Sequence, residues 1–506
     1  MVPTRIAILG GGLTGLSSAF HLSRRFPTAK IVLLDKQARM GGWVRSERVS
    51  IPQIGASVLL EAGPRSLRPN SKSVLEMIHL LRIEDQVITV PKTAPPAKAR
   101  FLYIPKSDAS ASGLQRIPSS FLSLLNSPLL PILLPAILKE PFRKANRGTG
   151  TEDESVDSLF TRRFGETFAR TFGSALVHGI YATNSRSLSV RAAFPSVWDA
   201  EEKGHGSIVR GFLLPGKKKT TEDDYELGNT LEMMGDVSVY SFKDGMETLT
   251  KALQKSLLST RNVSVINNTH VSNLRLLEDQ SFEISHSKSE PITASHVVSA
   301  LPLPVLHELV SGPPICHLTQ NPTSTVHVVN FIFPSPPKDI HPEGFGYLIP
   351  RPPDGYLSNA TSQGVLGTVF DSCSLHEQDL PLTKDYYTQS SHTKLTMMTG
   401  GPYLKLALPK HLISSENETT PEFIRSFLDQ LKEHLGTDVP DPVYWRIWNN
   451  KACIPTLLPG HLQRMAELKD SLKGWGSRLA VVGAGVGGVS VGDCIEAGRQ
   501  VGKDWL

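Results

Sequence analysis

The strongest indication of the fold is the N-terminal segment Ile6-Ala7-Ile8-Leu9-Gly10-Gly11-Gly12-Leu13-Thr14-Gly15-Leu16. An apolar run typical of a buried parallel strand ends in a glycine turn, and the small residues that follow predict the start of a helix. Gly10 permits the tight turn, Gly12 lets the backbone approach a pyrophosphate, and Gly15 lets helix and strand pack closely. The phosphates would then lie over the free N–H groups at the helix N-terminus.

A second apolar strand predicts the other half of this nucleotide site. Ile31 to Leu34 ends in Asp35, twenty positions after Gly15, where a carboxylate would accept ribose hydroxyls. A purely structural glycine turn is the weaker interpretation, because it does not explain this strand and its carboxylate. We expect the following residues to contact the cofactor here: Gly10, Gly11, Gly12, Leu13, Thr14, Gly15, Asp35 and Lys36.

The next stretch indicates which dinucleotide binds. Arg39 and the pair Gly41-Gly42, followed by Trp43, resemble the extended FAD fingerprint of the amine-oxidase-like flavoproteins. Arg39 can neutralise diphosphate charge, and the two glycines bring the backbone close to the cofactor. We therefore expect FAD, with Arg39, Gly41, Gly42 and Trp43 among its contacts.

Composition excludes several other classes of protein. The 506 residues are 40% hydrophobic and 20% charged, which predicts a largely soluble globular protein with two or three lobes. A net charge of +5 without a basic tract argues against a nucleic-acid partner. The cysteines Cys316, Cys373, Cys453 and Cys494 lie far apart, so neither a metal site nor a disulfide framework is expected. Because the first strand begins near Arg5, we expect no secretory signal or cleavable transit peptide in this sequence; an organelle address would be internal, or the chain would have been trimmed.

A Gly-Pro-Arg turn follows the fingerprint. Gly63 and Pro64 predict a turn, and a helix is expected from about Ser71 to Leu81. Arg65 is either a solvated loop residue or a flavin contact, and its position close behind the fingerprint favours the second role. Gly63, Pro64, Arg65 and Ser66 are accordingly expected at the cofactor.

The segment from Ile117 to Leu138 has no charged residue and is long enough to reach the threshold for a transmembrane span. Pro118, Pro128, Pro131 and Pro135 argue against a spanning helix, because lipid cannot replace the hydrogen bonds that prolines remove. Basic residues flank the segment on both sides: Arg116, Lys139, Arg143, Lys144 and Arg147. We predict a monotopic dip into one leaflet. A buried core hairpin is the alternative.

Between these landmarks the pattern predicts further elements. Helices are expected at 156–164, with Ser155 as cap, and at 166–179, and residues 216–224 are expected to form a solvated insertion loop. Another helix is expected after Met246. Strands are expected at 263–266 and at 296–300, the second of which would close the nucleotide-binding domain. Residues 325–334, 364–370 and 394–398 predict strands of a second sheet.

A second glycine-rich stretch lies near the C-terminus. Gly483, Gly485 and Gly488 follow an apolar strand and imitate the first fingerprint, but no carboxylate-ended strand follows them. We interpret this stretch as a strand and a helix start that cover the flavin end of the same FAD. It is not a second nucleotide site.

Together with the motifs above, further ordered motifs over nearly the whole chain resemble the protoporphyrinogen oxidases of the eukaryotic mitochondrial type, FAD enzymes of the amine-oxidase-like superfamily. They are Arg100-Phe101-Leu102-Tyr103, Ala193-Phe194-Pro195, His205-Gly206-Ser207-Ile208, Gly344-Phe345-Gly346-Tyr347-Leu348, Phe370-Asp371-Ser372, Cys453-Ile454-Pro455 and Asp493-Cys494-Ile495-Glu496-Ala497-Gly498-Arg499. Two departures occur: Asp35 stands where Glu is usual, and the residues from Thr456 to Pro459 replace a polar-aromatic sequence.

The resemblance implies a fold of the α/β and α+β classes. A discontinuous Rossmann-like FAD-binding domain would comprise residues 1–99, 236–300 and 451–506. A helical membrane-binding lobe would comprise 100–235, and a mixed-sheet substrate domain 301–450.

The resemblance also implies a reaction and partners. Protoporphyrinogen IX would lose six electrons to give protoporphyrin IX in haem biosynthesis, with non-covalent FAD as cofactor and dioxygen reoxidising it to give hydrogen peroxide. The protein would be peripheral on the mitochondrial inner membrane, on the intermembrane-space side. A homodimer and a hand-off to ferrochelatase are consistent with the resemblance.

By the same resemblance, Arg100 would pair with a substrate propionate. Phe345, Leu348, Val369 and Met398 would form apolar walls, and the Gly179 backbone would approach the macrocycle; ordinary core packing is the alternative for each wall residue. Further FAD contacts would be Val271, Ala300, Ala484, Val489, Ser490 and Val491. Alternative functions are an amine oxidase, a carotenoid-desaturase-like enzyme, a coproporphyrinogen-oxidising homologue and an inactive flavin-binding scaffold.

Overall fold

The computed structural model describes residues 2–105, 112–145, 152–215, 224–288, 290–356, 364–382, 392–403 and 422–505. The strands are β1 Arg5–Leu9, β2 Lys30–Leu34, β3 Ser46–Ile51, β4 Ala56–Glu61, β5 Val87–Pro91, β6 Phe101–Ile104, β7 Gly113–Arg116, β8 Val237–Phe242, β9 Val263–Ile266, β10 Val271–Leu276, β11 Phe282–His286, β12 Ile292–Ala294, β13 His296–Ser299, β14 Val310–Ser311, β15 Thr323–Phe333, β16 Gly346–Leu348, β17 Val365–Val369, β18 Leu380–Pro381, β19 Thr393–Gly400, β20 Tyr444–Pro455 and β21 Leu479–Val481.

The helices alternate with these strands in the first and last parts of the chain and cluster in its second quarter. They are α1 Leu13–Arg25, α2 Lys72–Leu81, α3 Pro95–Lys98, α4 Phe121–Leu125, α5 Leu130–Lys139, α6 Val156–Phe164, α7 Glu166–Phe168, α8 Ser174–Tyr181, α9 Val190–Ala193, α10 Pro195–Lys203, α11 Ile208–Leu213, α12 Thr230–Met233, α13 Glu247–Leu258, α14 Leu303–Leu309, α15 Asp371–Ser374, α16 Glu422–Leu435, α17 His461–Ser471 and α18 Val491–Gln500.

A five-stranded parallel sheet in the order β21-β13-β1-β2-β9 forms the centre of the nucleotide-binding part. The predicted strands at both ends of the chain and at 263–266 and 296–300 all lie in it. Sheet strands from distant parts of the sequence therefore share one carboxyl edge. That edge is where α/β sheets bind ligands.

A seven-stranded sheet in the order β20-β15-β19-β17-β16-β6-β7 forms the second large unit. The strands predicted at 325–334, 364–370 and 394–398 are confirmed as β15, β17 and β19. Strands β6 and β7 join this sheet, although the predicted boundaries put residues 100–235 in the helical lobe. The reason is that β6 pairs in parallel with β16, a contact between segments over 240 residues apart.

The helices predicted at 71–81, at 156–164 and after Met246 are confirmed as α2, α6 and α13. Ser155 caps α6, because its side chain accepts a hydrogen bond from the Ser158 N–H. The helix predicted at 166–179 is α7 and α8 joined by a π-helical turn at Ala169–Gly173. Of the predicted loop at 216–224, residues 216–223 lie outside the described part of the chain.

The uncharged segment from Ile117 to Leu138 forms the short helices α4 and α5. Leu129 and Ala136 are buried, whereas Leu122 and Leu138 are 74% and 59% exposed. The hairpin is therefore only partly a core element, because few of its side chains are buried. Within the described ranges, no helix has both the length and the apolar character required to cross a bilayer.

Candidate functional site

The first glycine turn has the geometry of a dinucleotide site. Gly10 has a φ of +98°, and a Cβ on Gly15 would lie 1.8 Å from the Gly10 carbonyl oxygen, so both positions require glycine. A Cβ on Gly12 would meet no protein atom within 4 Å. Gly12 also caps α1 without a side-chain hydrogen bond, which leaves the first N–H groups of the helix available. An anionic diphosphate fits this open helix end.

Asp35 lies at the carboxyl end of β2, beside this turn. Its Oδ2 accepts a hydrogen bond from the Gly11 N–H at 2.6 Å, and its Oδ1 accepts one from the Gln37 N–H at 2.7 Å. These bonds orient the carboxylate and leave lone pairs on both oxygens for ribose hydroxyls. The Thr269 N–H donates to the Asp35 carbonyl at 2.8 Å, and Val271 begins β10 two residues later. The contacts of Asp35 and Val271 with the cofactor stay predictions.

The second glycine pair packs directly on the first turn. The Gly41 N–H donates to the Gly11 carbonyl at 2.8 Å, and a Cβ on Gly42 would lie 3.2 Å from the Gly12 Cα. Gly41 and Gly42 both have positive φ, at +108° and +59°. The two fingerprints therefore meet at Gly12, and Trp43, beyond them, remains 46% exposed.

Arg39 has its hydrogen bonds within the protein. Its guanidinium donates to the carbonyls of Met40, Gly42 and Val44 at 2.6–2.9 Å and forms an ion pair with Glu247 at 3.3 Å. Arg39 thus holds the second glycine loop in shape, a role that the sequence analysis did not predict. Glu247, which begins α13, was not identified as its partner, because 208 residues separate the two in sequence.

Arg65 is buried, so the solvated-loop interpretation is wrong. Its Nη1 lies 3.4 Å from both carboxylate oxygens of Asp371, which follows β17. Thr396 donates to the same carboxylate, and Asn330 donates to the Thr396 hydroxyl at 2.8 Å. A chain of buried polar groups therefore connects the Gly-Pro-Arg turn to the second sheet. A Cβ on Gly63 would lie 2.6 Å from the Trp43 carbonyl, which places Gly63, Pro64, Arg65 and Ser66 beside the glycine loops.

The C-terminal glycine stretch borders the same site. A Cβ on Gly483, after β21, would lie 4.0 Å from the Thr14 Oγ1, and Gly483 has a φ of +126°. Ser490 and Asp493 form a capping box at the start of α18, next to Val489 and Val491. Ala300 closes the opposite side, because its carbonyl oxygen would lie 3.2 Å from a Cβ on Gly10. The stretch from Ala484 to Val491 therefore lies at the carboxyl edge of the parallel sheet.

Four of the predicted substrate residues lie together. Leu348, Gly367 and Met398 are directly opposite one another on β16, β17 and β19, and Val369 is on the same face. Tyr347 and Met397 point to the other face, which α16 covers. Met398 packs on the cluster that contains Val58 and Leu60 of β4 and Ala62 just after it. The Ala62 N–H donates to the Arg45 carbonyl at 2.9 Å, so this face is turned towards the segment that follows the second glycine pair. Gly179 on α8 lies against it, because its Cβ would be 2.8 Å from Leu348.

Arg100 lies at the end of this face, immediately before β6. Its guanidinium carbon is 5.8 Å from the centre of the Phe345 ring. Partial burial lowers the pKa of Arg100 from its ordinary value, and the nearby Arg68 guanidinium lowers it further. The Arg68 guanidinium therefore lies near that of Arg100, and neighbouring positive charges favour an anionic ligand.

Comparison with known proteins identifies the family of this chain. Residues 13–503 match the model of the flavin containing amine oxidoreductases. The human protoporphyrinogen oxidase is 32% identical over 98% of this chain and 97% of its own length, and the coproporphyrinogen III oxidase of Bacillus subtilis is 23% identical over 99% and 97%. A solved structure from Exiguobacterium sp. 255-15 superposes with a TM-score of 0.72 at 20% identity, covering 98% of this chain and 97% of the other. The chain therefore belongs to the flavin-containing amine oxidoreductases and is an FAD-dependent oxidoreductase of the protoporphyrinogen oxidase family.

Proposed function

We propose that this protein oxidises protoporphyrinogen IX to protoporphyrin IX in haem biosynthesis, with dioxygen as electron acceptor. The observation that carries the proposal is the apolar face of Leu348, Val369 and Met398, which is turned towards the FAD site and ends at Arg100. A flat, hydrophobic macrocycle with propionates on one edge matches such a face. Six electrons and six protons leave the substrate, and three molecules of dioxygen become three of hydrogen peroxide.

The protein residues have binding and positioning roles in this reaction. FAD, bound non-covalently, supplies the two-electron oxidation at each step. Leu348, Val369 and Met398 exclude water from the ring and hold it flat, and Gly179 leaves room for close approach of the backbone. Arg100 selects one rotation of the macrocycle, because its planar guanidinium pairs bidentately with a carboxylate.

The alternative functions fit less well. An amine oxidase requires aromatic side chains beside the flavin, whereas three of the four proposed wall residues, Leu348, Val369 and Met398, are not aromatic. A carotenoid-desaturase-like enzyme does not require a guanidinium at the end of its apolar binding face. The protoporphyrinogen oxidase relative is also more similar than the coproporphyrinogen III oxidase relative, at 32% against 23% identity.

The same proposal includes attachment to the mitochondrial inner membrane, from the intermembrane-space side. Large apolar side chains are exposed on α4, on α5 and the turn after it, and at the end of α11: Leu122, Leu125, Ile137, Leu138, Phe142, Phe212 and Leu213. The turn Glu140–Phe142 packs on α11, because the Glu140 carboxylate accepts hydrogen bonds from Ser207, Ile208 and Val209. This exposed apolar surface supports peripheral insertion into one leaflet. A homodimer and a hand-off of product to ferrochelatase belong to the same proposal.

One assay tests the proposed reaction. Purified holoenzyme is given protoporphyrinogen IX, coproporphyrinogen III or a primary amine, and oxygen uptake and porphyrin fluorescence are followed together. We expect rapid oxidation of protoporphyrinogen IX, slower oxidation of coproporphyrinogen III, whose additional carboxylates do not suit an apolar wall, and none of the amine. Equal or faster oxidation of coproporphyrinogen III would assign the chain to the other porphyrinogen. No turnover of either porphyrinogen, with FAD bound, would support the inactive scaffold.

A further inference from the structure

The C-terminal glycine loop, residues 483–490, has two buried polar partners outside the nucleotide-binding sheet. Asn321, in the segment before β15, donates from Nδ2 to the Gly485 carbonyl at 3.4 Å and to His461 Nδ1 at 3.2 Å. His461, the first residue of α17, contacts the Val486 carbonyl through Nε2 at 3.0 Å. His461 is completely buried and Asn321 is 7% exposed.

These contacts determine the proton positions. A carbonyl oxygen only accepts, so the Asn321 nitrogen must face Gly485 and the His461 Nε2 must carry the hydrogen that Val486 accepts. The remaining ring nitrogen, Nδ1, then accepts the second Asn321 hydrogen. His461 is thus a neutral imidazole in a single tautomer, and burial lowers its pKa.

Asn321 and His461 hold the C-terminal glycine loop by hydrogen bonds from outside the loop. Backbone hydrogen bonds within the loop close its turn. The Val486 and Gly487 N–H groups both donate to the Gly483 carbonyl, at 3.0 Å and 3.3 Å. Gly483 in turn lies beside Thr14 of the first fingerprint. The Gly460 N–H, just before His461, donates to the Asp153 carboxylate at 2.7 Å, so the helical part of the chain supports the same segment.

We propose that Asn321 and His461 are positioning residues for FAD, which act by holding the C-terminal glycine loop in its cofactor-binding conformation. Without the pair, Gly485 and Gly487 have many backbone conformations available, and ordering them opposes FAD binding. The pair touches the loop and acts through it. The inference depends on FAD binding alone, so it stands or falls separately from the choice of porphyrinogen.

The test uses His461→Phe, which keeps a planar aromatic ring at this position and removes both hydrogen bonds of the His461 side chain. FAD affinity is measured by flavin fluorescence on dilution of the holoenzyme. The temperature of flavin release is compared with the temperature of unfolding from tryptophan fluorescence. We expect a dissociation constant raised about tenfold or more, and flavin release at a clearly lower temperature than unfolding. His461→Gln, whose amide can still donate to Val486, should recover part of the affinity.

His434→Phe is the matched control. His434 is also buried, and it bonds the Tyr347 hydroxyl at 3.0 Å on the face of the second sheet that α16 covers. This variant should lower the temperature of flavin release and the temperature of unfolding together, and it should leave FAD affinity unchanged. If His461→Phe does not fold, FAD affinity is measured instead in Asn321→Leu, which removes both hydrogen bonds that Asn321 Nδ2 donates. Unchanged FAD affinity in the folded variant, with release and unfolding coincident as in the control, would overturn the proposal.

Discussion

The Glu140 carboxylate and the Arg163 guanidinium form an ion pair with no exposed surface on either side chain, 2.7 Å between Oε1 and Nη2. The same carboxylate accepts hydrogen bonds from the Ile208 N–H at 2.8 Å and from the Ser207 hydroxyl. One buried carboxylate thus connects the turn after α5 with α6 and with the start of α11.

Removing one partner of this pair should strongly destabilise the protein. Glu140→Ala removes the closest carboxylate from the buried Arg163 guanidinium, which keeps backbone carbonyl acceptors and Glu201 at 3.8 Å, and removes the acceptor at the start of α11. We therefore expect about 3–5 kcal/mol of lost stability, measured by thermal and urea unfolding. Glu226→Ala is the control, because Glu226 pairs with Arg24 on the surface, and it should cost under about 1 kcal/mol. Equal effects of the two substitutions would contradict the assigned role of Glu140.

Two glycines of the first fingerprint should respond differently to alanine. Gly12→Ala places a methyl group where no protein atom lies within 4 Å, and Gly12 has a φ of −71°. The protein should fold normally and lose most of its FAD, because the methyl group occupies cofactor space. Gly15→Ala should lower the unfolding temperature as well, because its Cβ would lie 1.8 Å from the Gly10 carbonyl.

Flavin-to-protein ratios and unfolding temperatures separate the two cases. In the parent protein, acid precipitation should release all flavin into the supernatant, since FAD is proposed to be non-covalent. Full FAD content in Gly12→Ala would show that the space beside Gly12 is not used by the cofactor. Flavin in the pellet would contradict the non-covalent proposal.

Arg100→Ala should weaken kcat/KM for protoporphyrinogen IX by roughly 2–5 kcal/mol, as the loss of a desolvated charge partner does. Arg100→Lys should recover part of this, because an ammonium lacks the planar fork. FAD content and the unfolding temperature should stay at parent values, since the ion pair forms only with substrate. An unchanged kcat/KM in Arg100→Ala would remove Arg100 from the site.

The exposed apolar surface of the helical lobe should control membrane attachment. Each of Leu138, Phe142 and Leu213 offers roughly 1.5–3 kcal/mol if it is fully buried in lipid, so replacing all three with Ser should move the protein to the soluble fraction in vesicle sedimentation. These positions are better choices than Leu133, which packs on buried residues. Leu258→Ser is the control, because Leu258 is 64% exposed on α13. Persistent sedimentation of the triple variant would exclude this surface.

Glu61 should make stability depend on pH. Burial raises its pKa to about 8, against opposing hydrogen bonds from the Met246 N–H and the Ser46 hydroxyl. In the unfolded chain Glu61 titrates near its ordinary value of 4.5. The contribution of Glu61 to the free energy of unfolding is therefore fully present below about pH 4.5 and is lost as the pH rises through 8. Glu61→Gln should flatten the fall of the unfolding temperature over this range, and an unchanged pH profile would show that Glu61 is already ionised.

Local sequence patterns were sufficient to identify the nucleotide-binding unit. The strand before Gly10, the strand ending in Asp35 and the glycines between them follow rules that depend only on neighbouring residues, because backbone conformation and helix-end electrostatics are local properties. The same holds for helix α2 and for the cap of α6 at Ser155. Residue identity at short range therefore predicted both the cofactor class and the parallel sheet.

Contacts between residues that are distant in sequence determined the remaining features of the fold and of the candidate site. The burial of Arg65 against Asp371, the bonds of Arg39 with Glu247, the membership of β6 in the second sheet and the bond from Asn321 to the C-terminal loop all join residues more than 100 positions apart. No local pattern carries such information, because each side chain finds its partner only after the separate segments pack. Short-range patterns are therefore enough to recognise the FAD fingerprint, whereas the buried polar groups that support it come together only when the chain folds.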